Sequence, residues 1–169
     1  AANKISSGKF LNCGQSCVAP DYVLIHESVI HDFIQQLIAE TKRKFSDKSI
    51  DFEKSPNYAR IVNGNNLHRI KNYIADAVLK GAKIELGGKI NEHEKFIEPT
   101  VLSGVSLDSL IMEEEIFGPV LPIITFKNVT DVLSLIKSKP KPLNAYVFSK
   151  NKKLIRSIIE NTSSGTVCV

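Results

Sequence analysis

Residues 10–20 read FLNCGQSCVAP and lead directly into the apolar segment DYVLI at residues 21–25. The apolar segment predicts a buried strand from Tyr22 to His26. Before it lies a tight Asn-Cys-Gly turn, in which Gly14 allows a sharp bend and a close approach of a ligand to the backbone. A thiol between such a turn and such a strand can stay accessible while the sheet holds its backbone. Cys17 is therefore the candidate nucleophile, although most cysteines are small buried apolar residues.

This segment and a second one together resemble the aldehyde dehydrogenase superfamily. NCGQSC at residues 12–17 followed by VAPDY is similar to the family's Gly-Gln-any-Cys nucleophile segment, and EEEIFGPVLP at 113–122 is similar to its Glu-any-Phe-Gly-Pro motif. Weaker similarity joins the two and continues beyond the second, in the segments FIEPTVL at 96–102, PLNAYVFS at 142–149 and TSSG at 162–165. The sequence of these motifs most resembles the class 3 branch, which handles fatty and aromatic aldehydes. The resemblance covers essentially the whole chain.

Helices and strands alternate along the rest of the sequence. Helices are predicted at Ala1–Phe10, Val29–Phe45 with a Ser28 cap, Asn65–Lys80, Thr130–Ser138 and from an Asn151 cap to Asn161. Strands are predicted at Lys83–Leu86, Ile97–Leu102, Val120–Phe126, Ala145–Phe148 and Gly165–Val169, and a polar loop at 46–57. This alternation predicts an α/β fold, a largely parallel open sheet with flanking helices, as one catalytic domain over residues 1–169.

Composition narrows the class of protein. The chain has 169 residues, 43% hydrophobic and 24% charged, with a net charge of +4, which are ordinary values for a globular domain. Its basic clusters have no interleaved aromatic residues, so we expect no nucleic-acid partner. No apolar run has the length of a membrane span. An odd number of cysteines favours a reducing compartment, and we expect the cytoplasm.

The resemblance implies that much of the family's machinery lies outside this sequence. The Rossmann-type cofactor domain, the general-base glutamate and part of the oligomerisation arm would precede it, and the rest of the arm would follow it. We therefore expect a fragment that does not turn over as a dehydrogenase by itself, cut from a homodimeric or homotetrameric parent. The segment ELGGK at 85–89 spells the family's glutamate motif but lies on the wrong side of Cys17. We interpret Glu85 as a surface residue before a Gly-Gly turn.

The resemblance also implies roles for five residues. Cys17 would attack the aldehyde carbonyl, and its backbone N–H would donate to the oxyanion of the resulting thiohemiacetal. Hydride transfer to NAD or NADP would give a thioester, which water would hydrolyse. Asn12 and Gln15 would support the loop and the oxyanion site. Glu115 would accept hydrogen bonds from the nicotinamide ribose, and Phe117 would pack against the nicotinamide. A solvated acid and an ordinary core phenylalanine are the structural alternatives for these two.

The remaining cysteines and the histidines suggest no further chemistry. We expect Cys13 to be a packing residue, although a regulatory disulfide with Cys17 is conceivable, and Cys168 to be buried and inert. His26 and His31 are five residues apart, so they do not share a helix face. We therefore predict no metal site.

Three alternatives for the function stay open. Within the superfamily, the acyl group could pass to coenzyme A instead of water, although the class 3 wording argues against this. A cofactor-independent cysteine esterase or hydrolase would use the same Cys17 and would need a base beside it. A non-catalytic association domain would have an unreactive Cys17 and a large apolar face.

Overall fold

The computed structural model describes residues 1–47 and 51–169, so residues 48–50 of the predicted polar loop lie outside the described part. The chain forms two compact units, residues 1–125 and residues 126–169. The larger unit holds the Cys17 segment and the Glu115 motif. Within the described ranges, no helix is long and apolar enough to cross a membrane.

Among the described residues of the larger unit, three α-helices form: α1 (Ala2–Phe10), α2 (Ile30–Phe45) and α3 (Gly64–Leu79). Each follows its predicted range closely, because apolar residues at helical spacing give it one buried face. The helix starts differ from the prediction. Ser28 does not cap α2, since Glu27–Val29 forms a short 3₁₀ turn in which Ser28 N–H donates to the His26 ring. Helix α3 is capped by Asn63, whose side chain accepts from Asn66 N–H at 2.9 Å.

The main sheet has four strands in the order β1-β6-β5-β2. These strands are β1 (Val23–His26), β2 (Lys83–Leu86), β5 (Thr100–Ser103) and β6 (Val120–Phe126). Strand β5 pairs in parallel with β6, with Thr100 opposite Val120, and β2 adds to β5 in the antiparallel sense. The first residues of β6 are fully buried, as its apolar run predicts. The α/β class with a largely parallel sheet and flanking helices is confirmed.

The predicted strand from Ile97 to Leu102 is divided at Pro99. Its beginning belongs to β4 (Phe96–Ile97), which forms an antiparallel hairpin with β3 (Ile90–Asn91), and its end forms β5. Proline has no N–H to donate to a sheet ladder, so the chain leaves one sheet and enters the other at this residue.

The smaller unit contains α4 (Val129–Ser138), β7 (Asn144–Tyr146), α5 (Lys152–Asn161) and β8 (Thr166–Cys168). Strands β7 and β8 pair in parallel. The Asn151 cap of α5 is confirmed, because its side chain accepts from the N–H groups of Lys153 and Leu154. Cys168 is exposed, contrary to the expectation that it is buried, since β8 belongs to a sheet of only two strands.

A row of aromatic side chains crosses the core of the larger unit beneath the Cys17 segment. The ring of Phe10, the last residue of α1, lies edge-on to Phe45 at a centroid distance of 6.2 Å. Phe45 contacts Tyr58 at 6.1 Å, and Tyr58 contacts Phe96 at 6.0 Å. Edge-to-face pairs at these distances add to the apolar burial of the rings. They connect the end of α1 to the β3–β4 hairpin, and Cys13 contacts Tyr58 in this row.

Candidate active site

The loop that leads to Cys17 begins with three consecutive residues in the left-handed region. Asn12, Cys13 and Gly14 have φ values of 50°, 58° and 71°. Two of them are not glycine, and each such residue costs about 1 kcal/mol or more unless its surroundings hold it. The run turns the chain sharply away from α1. Cys17 then lies exposed in a turn that Ala19 N–H closes by donating to Ser16 O at 3.0 Å.

Gln15 and Asn12 hold this loop by side-chain hydrogen bonds. Gln15 Nε2 donates to Arg60 O at 2.9 Å and to Asn12 O at 3.1 Å, and its Oε1 accepts from Val62 N–H at 2.9 Å. Asn12 Nδ2 donates in turn to Gln15 O at 3.1 Å. The amide of Gln15 therefore fastens the loop to the neighbouring segment at residues 60–62. A carboxylate could not make the two donor contacts.

Cys13 is a core residue. Its side chain is fully buried, and its Sγ donates to Tyr58 Oη at 3.4 Å, while Tyr58 donates to Ile97 O at 2.9 Å. Burial raises the pKa of the Cys13 thiol to about 11, so the thiol is protonated at neutral pH. A buried, protonated thiol is a poor nucleophile. None of the three cysteines, all in the described part of the chain, forms a disulfide.

The Glu115 motif forms a second unusual turn. Phe117 has a φ of 43°, in the left-handed region, and its side chain is 38% exposed. Glu115 is exposed as well, whereas Ile116 between them is fully buried. Ile116 N–H donates to Asp21 Oδ1 at 3.0 Å. The turn thus presents a carboxylate and an aromatic ring on its open side, and Phe117 is not an ordinary core residue.

The two turns are in direct contact. A Cβ atom added to Gly14 would lie 2.2 Å from Gly118 O and 3.1 Å from Lys9 O. At Gly118 an added Cβ would lie 2.4 Å from Ile70 Cδ1, the end of a side chain that can shift. Gly14 is therefore required by close packing against backbone atoms as well as by its positive φ. The fold brings the Cys17 loop against the Glu115–Phe117 turn, although nearly the whole larger unit separates them in sequence.

Two charged residues under this contact were missed by the sequence analysis. Lys9 is 1% exposed, and burial lowers its pKa to about 8 although the negative charges of Asp21 and Glu115 favour its protonated form. Burial likewise raises the pKa of Asp21, and the charge of Lys9 and the hydrogen bond from Ile116 N–H oppose that shift. The spacing Ile5–Lys9 was the available signal, because it places Lys9 on the buried face of α1.

Glu85 lies on β2, where Ser103 Oγ donates to its carboxylate at 2.6 Å and Lys83 Nζ is 3.3 Å from it. These local partners give it a structural role, and its side chain is only 17% exposed, less than the predicted surface position implies. His68 lies 3.4 Å from the Glu92 carboxylate at an exposed position. Among the described residues, no group of three or more His, Cys, Asp or Glu side chains is arranged to hold a metal ion.

Comparison with known proteins identifies the family that shares these features. The aldehyde dehydrogenase family profile matches residues 1–169. Aldehyde dehydrogenase family 3 member A2 of Mus musculus is 43% identical over 167 residues, which are 99% of this chain and 33% of that protein. The chain therefore spans about a third of the length of this curated relative.

Solved structures agree. The substrate-bound state of Staphylococcus aureus AldH superposes with a TM-score of 0.91 at 40% identity, over 99% of this chain and 35% of that one. An indole-3-acetaldehyde dehydrogenase in complex with NAD+ superposes with a TM-score of 0.85 at 27% identity, over 99% of this chain and 34% of that one. The resemblance found in the two motifs, including its class 3 character, is confirmed, and the chain belongs to the aldehyde dehydrogenase family.

Proposed function

We propose that this chain is the thiol-bearing part of an NAD(P)-dependent aldehyde dehydrogenase, which oxidises aldehydes to carboxylic acids within a longer protein. The observation that carries the proposal is the contact of Gly14 with Gly118, which brings the Cys17 loop against the Glu115–Phe117 turn. The relatives, about three times as long as this chain, support a longer protein. The odd number of cysteines in this chain is the ground on which we place the protein in a reducing compartment, the cytoplasm.

Cys17 is the nucleophile in this proposal. After its proton passes to a base in the rest of the protein, the exposed sulfur forms a bond to the aldehyde carbon, the carbonyl π bond breaks, and the carbonyl oxygen takes the negative charge. The Cys17 backbone N–H donates to that oxygen, and the hydrogen bonds of Gln15 and Asn12 fix the direction of the loop. After the carbon is oxidised, water attacks the Cys17 thioester, the carbon–sulfur bond breaks, and the acid and the thiol are released. The base that activates this water belongs to the rest of the protein.

Glu115 and Phe117 fit the nicotinamide end of a dinucleotide. The exposed Glu115 carboxylate can accept from two adjacent ribose hydroxyls, and the exposed Phe117 ring offers a flat apolar face. Their turn packs against the Cys17 loop, so a cofactor held there would be close to the reacting carbon. The bound nicotinamide supplies the hydride acceptor. A relative of similar fold was solved with NAD+, which supports this class of cofactor.

Alkylation of the three cysteines tests the role of Cys17. The native and the denatured protein would be treated with iodoacetamide at neutral pH, and each site followed by mass spectrometry. Cys168 is a matched control, because it is exposed but distant in sequence from both motifs, and buried Cys13 should react only after denaturation. We expect Cys17 to react faster than Cys168 in the native protein. Equal rates at these two sites would contradict a preformed, activated loop.

Turnover tests the reaction class. In the complete protein, aldehyde-dependent NAD(P)H production should be lost in Cys17→Ser and kept in Cys168→Ser. NAD(P)H formation that survives Cys17→Ser would refute the mechanism. Ester hydrolysis by Cys17 without any NAD(P)H formation would favour a cofactor-independent hydrolase, and an unreactive Cys17 would favour a non-catalytic association domain.

A further inference from the structure

Arg69 on α3 holds the Glu115–Phe117 turn from behind. Its Nη1 donates to Glu115 O at 3.2 Å, and its Nη2 donates to Ile116 O at 2.8 Å. Tyr73, one helical turn later on α3, orients the same guanidinium. Its Nη1 donates to Tyr73 Oη at 3.1 Å, and its Cζ lies 5.1 Å from the centre of the Tyr73 ring.

The two carbonyl groups bound by Arg69 immediately precede Phe117 in the chain. The Ile116 carbonyl belongs to the peptide plane that joins Ile116 to Phe117, so a bond to its oxygen restrains the backbone rotation at Phe117. Phe117 has a φ of 43°, which is an unfavourable value for a residue with a side chain. A non-glycine residue keeps such a conformation only where its surroundings determine it, and Arg69 supplies two of the restraints.

Asp21 completes the restraint from the side of the Cys17 segment. Its carboxylate accepts from Ile116 N–H at 3.0 Å, so both polar backbone groups of Ile116 are bound by charged side chains. Hydrogen bonds with one charged partner are stronger than neutral ones. Arg69 can bind two adjacent carbonyls because its N–H groups form a planar fork, a geometry that a lysine ammonium does not reproduce.

We propose that Arg69 is a positioning residue for the nicotinamide cofactor. By holding the backbone of residues 115–117 it keeps the Glu115 carboxylate and the Phe117 ring on the open side of the turn, where the cofactor would contact them. This inference rests on the proposed function. It predicts that loss of the guanidinium weakens cofactor binding and leaves the thiol chemistry of Cys17 intact, because Arg69 bonds to the turn and not to the Cys17 loop.

The test compares Arg69→Met and Arg69→Lys with Lys71→Met in the complete protein. Lys71 is a matched control, because it lies on the same helix but bonds to Glu92 at an exposed position. The dissociation constant for NAD+ and for NADP+ would be measured by calorimetry, together with KM for cofactor and aldehyde. Both Arg69 variants should raise the dissociation constants for NAD+ and NADP+ roughly tenfold, because a charge-assisted pair of hydrogen bonds is lost. Lys71→Met should leave these constants unchanged.

Two cofactor-independent readouts separate positioning from a general structural defect. The rate of Cys17 alkylation and the hydrolysis of a nitrophenyl ester should stay at the wild-type level in both Arg69 variants. Unchanged cofactor affinity in Arg69→Met would overturn the inference, and so would a parallel fall of alkylation, ester hydrolysis and cofactor binding. A wild-type protein that binds neither NAD+ nor NADP+ would overturn the proposed function and this inference together.

A milder variant covers the case in which the Arg69 variants do not fold. Tyr73→Phe keeps the buried ring under the guanidinium and removes only the hydroxyl that Arg69 Nη1 bonds to. It should weaken cofactor binding by about threefold, less than the Arg69 variants do, because the guanidinium keeps its bonds to the Glu115 and Ile116 carbonyls, and Cys17 alkylation should be unchanged. Wild-type cofactor affinity in Tyr73→Phe, where the Arg69 variants fail to fold, would count against the inference.

Discussion

Replacing Gly14 by alanine should separate the two halves of the candidate site. The added Cβ would lie 2.2 Å from Gly118 O, and real Cβ contacts essentially never fall below 3.0 Å, so the two backbones must move apart by about 0.8 Å. The left-handed φ of 71° adds about 1–2 kcal/mol for any residue with a Cβ. Misplacement of reacting groups by about 1 Å can lower a rate by about 100-fold. We therefore expect Gly14→Ala to lower kcat/KM for aldehyde oxidation by about two orders of magnitude.

Two other glycines separate the contributions to this effect. Gly81 has a φ of 96° and nothing within 4 Å of an added Cβ, so Gly81→Ala carries the conformational cost alone. Gly64, the first residue of α3, has neither a positive φ nor a neighbour within 4 Å. Urea denaturation and steady-state NAD(P)H production would be measured for all three alanine variants. If Gly14→Ala matched Gly81→Ala in both assays, the contact between the two turns would not matter for the site.

Two further predictions concern Gln15 and the buried Lys9. Gln15→Ala should lower the free energy of unfolding by about 2 kcal/mol, because it removes three hydrogen bonds to residues 12, 60 and 62. It should also slow Cys17 alkylation. An alkylation rate equal to that of the wild type would show that the loop keeps its conformation without Gln15. For Lys9, the folded pKa of about 8 is below the unfolded value of 10.5, so the unfolded chain binds more protons between these pH values and stability rises with pH across this window. Relative to Lys9→Met, the free energy of unfolding of the wild type should rise by about 3 kcal/mol from pH 8 to pH 10.5, as measured by urea denaturation. If the free energies of unfolding of the two proteins changed in parallel with pH, the burial of the amine would be refuted.

Local patterns were sufficient for most of the fold. The apolar spacing of α2 and α3, the continuous apolar run of β6 and the Asn151 cap each depend on neighbours in sequence, and each was predicted close to its observed range. The errors occurred where tertiary structure decides between options. The strand predicted at Ile97–Leu102 is divided at Pro99, because the junction between two sheets at this residue depends on where β3 and β6 lie.

The candidate site was predictable only in part, for the same reason. The motif resemblance gave Cys17, Asn12, Gln15, Glu115 and Phe117 as candidate site residues. It did not indicate Arg69, whose bonds to Glu115 and Ile116 span 46 and 47 residues. A basic residue on an amphipathic helix is usually solvated, so sequence spacing alone gave no reason to connect Arg69 with the second motif. Its proposed role depends on which turn the fold places beside α3.

The left-handed run from Asn12 to Gly14 has a consequence for chemical mimicry of the site. The backbone conformation that L-residues disfavour there is the one that their mirror images favour, since the steric penalty reverses with chirality. A linear synthetic peptide of residues 10–20 made from L-amino acids will therefore not present the Cys17 thiol in its native direction. A cyclic peptide with D-residues at positions 12 and 13 has the handedness that the loop requires, and it is the appropriate starting point for a minimal thiol catalyst.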